Sequence, residues 1–86
     1  MLSAGTQKIK DAVERAFLPL RCFVEISRYE ETLRFKVFDT NNQGIIEVSD
    51  LLLRQLRDIS FLRDVISSAR TRVTEKGFTI APKPPD

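Results

Sequence analysis

The sequence predicts an α+β domain of two layers, in the order helix, three strands, a short helix or edge strand, and a final helix. Three observations predict it: apolar residues recur at three- and four-residue steps towards both ends of the chain, they alternate with polar residues at a step of two between those ends, and polar, turn-forming stretches separate the alternating runs. Two short loops make the strands an antiparallel meander. Both helical stripes are buried most simply if the helices share one sheet face.

The first helix is read from Ile9, Val13, Ala16, Phe17 and Leu20, with Thr6 as N-cap and Lys8, Lys10, Asp11, Glu14 and Arg15 on the other face. Pro19 lacks an amide and disfavours helical geometry before it, so the helix should end near Phe17 or Leu18. In the corner "AFLPLRCFV", Phe17, Leu18 and Leu20 are expected to pack while Pro19 makes the turn.

Beyond Leu20 the period changes to two. Cys22, Val24 and Ile26 alternate with Arg21, Phe23, Glu25 and Ser27, which makes a strand with one buried face. Polar residues 27–31 turn the chain, and Leu33, Phe35 and Val37 alternate with Arg34, Lys36 and Phe38 in a second strand. Residues 39–44, "DTNNQG", suit a hairpin loop, and Ile45-Ile46-Glu47-Val48 forms the third strand. The leucine run that follows is read in three ways: Ser49 or Asp50 caps a short helix containing Leu51, Leu52 and Leu56, the run extends the third strand, or it forms an edge fourth strand. Leu62, Val65, Ile66, Ala69 and Val73 then make one helical stripe, capped by Asp58 or Ser60 and stopped by Gly77.

Length and composition fit this plan. Eighty-six residues, 42% hydrophobic and 30% charged, make one small folded domain with a thin margin of stability. The domain is expected over residues 1–77, and residues 78–86, with three prolines among the last five, as an extended, mobile tail. No apolar run reaches the ~18 residues that cross a bilayer, and the first residues lack a signal-peptide core, so a cytoplasmic protein without a membrane partner is expected. One cysteine forms no internal disulfide.

What the chain lacks excludes several chemistries. With no histidine, imidazole-based nucleophilic triads and histidine-containing metal sites are ruled out, and one thiol does not make a structural zinc site. Gly5, Gly44 and Gly77 stand too far apart for a phosphate-binding loop. The acidic and amide residues around Asp39–Asp50 do not fall at calcium-loop positions and read as a hairpin. Glu30 and Glu31 read as solvated turn residues rather than an acid/base pair. Strand alternation turns Cys22 inward when Arg21 faces out, making it a buried, inert thiol. No cofactor, metal or catalytic residue is expected.

Two surfaces remain. Phe23, Phe38 and Ile45 should share the outward sheet row with Arg34 and Lys36; this is either a surface for a protein partner or a second copy, or a set of cross-strand contacts that only stabilises the sheet. The second half of the chain is basic: residues 51–76 carry Arg54, Arg57, Arg63, Arg70, Arg72 and Lys76 against Asp58, Asp64 and Glu75. It is either a solvated face or a nucleic-acid surface.

The corner "AFLPLRC" at 16–22, "FKVFD" at 35–39, "GIIEV" at 44–48 and the last helix resemble a family of short pseudomonad proteins catalogued as domain of unknown function 1652. The similarity spans about residues 6–74. "SRYEE" stands where the family usually has a tight Pro-Asp-Gly type turn, and 51–56 is richer in leucine. The family has no assigned activity, so the resemblance implies a small bacterial protein and carries over no site residue.

The expected function is a non-enzymatic interaction or regulatory module, acting through the outer sheet face and able to form a homodimer. The alternative is binding of double-stranded RNA, whose binding domains share the helix, three strands, helix order. Asp58 and Asp64 interrupt the arginines, and those domains usually carry a lysine cluster and a loop histidine that this chain lacks.

Overall fold

The computed structural model describes residues 2–80. It contains α1 (Ala4–Arg15), β1 (Arg21–Ile26), β2 (Thr32–Phe38), β3 (Gly44–Leu52), α2 (Leu53–Leu56) and α3 (Ile59–Glu75). The strands form one antiparallel sheet in the order β1-β2-β3. Ile9 and Val13 of α1 and Ala69 and Val73 of α3 join Val24, Leu33, Phe35 and Val37 in a single core, so both helices cover the same sheet face.

Helix α1 starts earlier and stops sooner than its stripe suggests. Ser3, not Thr6, is the N-cap: its Oγ accepts from the Thr6 N–H at 3.2 Å, and Thr6 is buried inside the first turn. At the other end the Ala16 N–H bonds to both Ala12 and Val13 carbonyls, and the Leu20 N–H to that of Phe17 at 2.8 Å, so residues 16–20 tighten into successive turns around a cis Leu18–Pro19 bond. Ala16, Phe17 and Leu20 are buried there. Leu18 is 46% exposed and does not pack the corner, because the tightened turns direct it to solvent.

Strands β1 and β2 pair without interruption from Arg21↔Phe38 to Ile26↔Leu33. Strand β3 is less regular. One residue, Ile45, is extra between the pairs Val37↔Ile46 and Phe38↔Gly44, and two, Ser49 and Asp50, oppose Arg34 alone. These are β-bulges, which re-aim side chains and bend a strand. Asp50 takes φ 61°, a left-handed conformation that Asp tolerates better than most residues.

The leucine run divides: Leu51 and Leu52 extend β3 and are not helical, only Leu53–Leu56 is helix, and among the described residues no fourth strand forms. Strand β3 continues to Leu52, where the Leu53 N–H bonds to the Glu31 carbonyl at 2.9 Å, and α2 follows at once with Leu53 and Leu56 fully buried. Neither Ser49 nor Asp50 caps it. Helix α3 is capped by Asp58, whose Oδ1 accepts from the Ser60 N–H at 2.9 Å. It ends as glycine chemistry dictates: Gly77 takes φ 94°, and the Phe78 N–H reaches back to the Val73 carbonyl. That turn sends the chain back onto the core, where Phe78 is half-buried and Ile80 buried. The packed unit therefore runs past residue 77, and the rest of the expected tail, 81–86, lies outside the described residues.

Candidate interaction surface

On the uncovered face of the sheet, strand register sets three rows. Arg21 stands beside Phe38 and Gly44, Phe23 beside Lys36 and Glu47, and Glu25 beside Arg34. The Arg34 guanidinium pairs with the Glu25 carboxylate. The Lys36 Nζ lies 5.4 Å from the Phe38 ring centroid, a cation–π contact that leaves Phe38 half-buried. Its aliphatic stem crosses Gly44 so closely that a Cβ there would meet Lys36 Cε at 2.6 Å. The Arg21 Nη1 donates to the neutral side-chain amide of Asn42 at 2.7 Å.

These contacts leave Phe23 as the open aromatic of the face, 60% exposed on an edge strand. Ile45 does not join it. The bulge that inserts Ile45 turns its side chain into the core, at 8% exposure, and its carbonyl accepts from the Lys76 Nζ at 2.9 Å. A simple step of two through residues 44–48 places Ile45 outward, and nothing in "GIIEV" marks the extra residue. The second bulge lies between Val48 and Leu51, which are three apart yet both pack against the core, a spacing no regular strand gives. Beside that bulge the face hollows into an open recess of 440 Å³ bordered by Glu25, Thr32, Arg34 and Ser49.

Cys22 faces inward, packed against the core and half-buried. Burial, aided by the negative charge of Glu14, pushes its thiol up to about 12, so it stays protonated at neutral pH. Glu30, at φ 55°, is not an idle turn residue. Its carboxyl group sits against the first turn of α1 and is held below the usual carboxylate range by the Thr6 hydroxyl and then by the Ser3 amide.

The basic residues of the second half are dispersed. Arg54 and Arg57 are exposed on and just after α2. Arg63 and Arg70, seven residues apart on α3, share one flank of that helix, whereas Arg72 stands on the other, bordering with Asp64 a recess between α3 and β3. Arg70 is half-buried and its Nη1 donates to the Ala16 carbonyl, which ties α3 to the end of α1.

Among the described residues no group of three or more acidic or thiol side chains converges to hold a metal ion, and no helix is long and apolar enough to cross a membrane. Comparison with protein-family models, with curated proteins and with solved structures gives no match.

Proposed function

We propose that this chain is a small non-enzymatic protein-interaction or regulatory module of a bacterial cytoplasm, and that its working surface is the uncovered face of the sheet. The observation that carries this reading is Phe23, held open at the sheet edge among Arg21, Glu25, Arg34 and Lys36. Aromatic side chains and arginine are enriched at the centres of protein interfaces, and burying an exposed phenylalanine supplies roughly 1.5–3 kcal/mol. The carboxylates of the face stand opposite cations: Glu25 pairs with Arg34, and Glu47 is in register with Lys36. That arrangement suits recognition better than proton transfer.

Affinity capture from a bacterial lysate tests the proposal, with wild-type, Phe23→Glu and Phe38→Glu chains as baits and far-UV circular dichroism as the check on folding. Proteins held by the wild type, the chain itself included, are expected to be lost with Phe23→Glu. An identical retained set for all three baits sinks the reading.

A further inference from the structure

Among the described residues strand β1 has one partner, β2, and its other side is an edge. The Ser27 N–H bonds to the Thr32 carbonyl across the β1–β2 turn, which fixes the alternation of the ladder. Residues 21, 23 and 25 direct their backbone groups to β2, so those of Cys22, Val24 and Ile26 point to the open edge.

The two edges of the sheet are unlike. Strand β3 carries two bulges, a device that blunts an edge against pairing. Strand β1 is regular along all of its length. Among the described residues four large apolar side chains are exposed, and three of them, Leu18, Phe23 and Tyr29, lie just before, within and just after β1.

We infer that β1 pairs antiparallel with β1 of a second copy of this chain about a two-fold axis through Phe23, an inference that rests on the outer-face reading and names its partner. Open-edge geometry admits only registers in which Cys22, Val24 and Ile26 bond across the interface, and charge selects among them. Centred on Phe23, the register places Arg21 opposite the partner's Glu25, twice by symmetry, and Phe23 opposite its own copy. Centred two residue pairs further along, on Glu25, it sets like charges face to face; centred on Val24, it sets Phe23 against a carboxylate.

The favoured register is satisfied on both faces. On the outer face the Phe23 pair falls at a non-hydrogen-bonded position, where opposed side chains come closest. Among the described residues of its own chain Arg21 meets a neutral amide, and the Glu25 carboxylate has two oxygens, so it accepts from Arg21 of the second copy while keeping Arg34. On the inner face Cys22 meets Val24 and Leu20 meets Ile26, all apolar. Leu18 at one end of the strand approaches Tyr29 at the other end of its copy. The Cys22 and Val24 pairs add about four backbone hydrogen bonds, and the two sheets become one continuous sheet with every helix on the same side.

The test is sedimentation velocity over a wide concentration range on the wild type, on Arg21→Glu, on Glu25→Arg, and on an equimolar mixture of the two variants. The wild type is expected to self-associate. Each variant alone juxtaposes like charges twice and should lose at least about tenfold in affinity, while the mixture restores both opposite-charge pairs and should return to within about threefold of the wild type. A mixture no stronger than its components, or variants that associate as the wild type does, overturns the pairing. A wild type monomeric up to about millimolar concentration also overturns it, and leaves the outer-face reading to the capture experiment.

Discussion

The backbone N–H of Ser3 donates to Glu30 Oε1 at 3.1 Å, and the Ser3 hydroxyl lies at the same distance from that oxygen, joining residues 27 apart in sequence. Ser3 caps α1, and Glu30 sits at the β1–β2 turn in a left-handed conformation. A carboxylate is thus held at the positive end of the helix dipole, where negative charge is favoured. The contact fixes where α1 begins and docks it to the far end of the β1–β2 hairpin.

It also makes the fold sensitive to acid. Because hydrogen bonds from Thr6 and Ser3 lower the Glu30 carboxyl below its ordinary 4.5, the stabilisation is present above that value and is lost as pH falls through the lower, folded-state value. Thermal melts of wild type and Glu30→Gln should differ more at about pH 6 than at about pH 3. A gap between them that is the same at both pH values counts against the contact.

Cys22 has the opposite dependence. Its thiol is raised from 9.0 to about 12, chiefly by burial and then by Glu14, so its contribution is whole below about 9 and is lost as pH rises towards 12. Wild type should lose stability over that alkaline interval relative to Cys22→Ala. At pH 8 the native thiol should react with a bulky aqueous disulfide reagent far more slowly than the urea-unfolded chain does. Equal rates would place the sulfur in solvent.

The core has a small centre that tolerates little loss. Phe17 and Phe35 are fully buried, with ring centroids 5.5 Å apart and planes tilted by 36°. Phe35→Ala should cost about 3–5 kcal/mol, a large part of the ~5–15 kcal/mol that holds such a domain together. Phe17→Leu keeps most of the volume and should cost less, about 1–2 kcal/mol. Urea titrations followed by circular dichroism give both values, and an Ala variant as stable as the wild type would remove this pair from the core.

Lys36, Phe38 and Gly44 act as a unit on the opposite face. A methyl group at Gly44 collides with the far part of the Lys36 chain, not with backbone, so Gly44→Ala should fold and merely displace Lys36 from the Phe38 ring. The expected cost is about 0.5–1 kcal/mol, the worth of an exposed cation–π contact. Lys36→Ala should cost about the same, and the double variant little more than either, since both remove one interaction. Strictly additive losses would mean that the two positions are independent.

What the sequence determined by itself is what local periodicity encodes: a helix, three strands and a final helix in that order, the inward row Leu33, Phe35 and Val37, the inward Cys22, a cap at Asp58 or Ser60, of which the structure uses Asp58, and the Gly77 stop, since each depends on backbone geometry within a few residues. Phe23 was legible on the outer face by the same parity. Tertiary structure decided the start of α1, where Glu30 recruits Ser3 from 27 residues away, and the burial of Ile45, whose bulge is held by Lys76 from 31 away. It also decided Arg70, which reads as a basic surface residue yet reaches the Ala16 carbonyl 54 positions back. The physical reason is common to all three. An extra strand residue, a cap or an anchored guanidinium is stabilised by groups that only the folded chain brings together, and no step of two or of 3.6 records them.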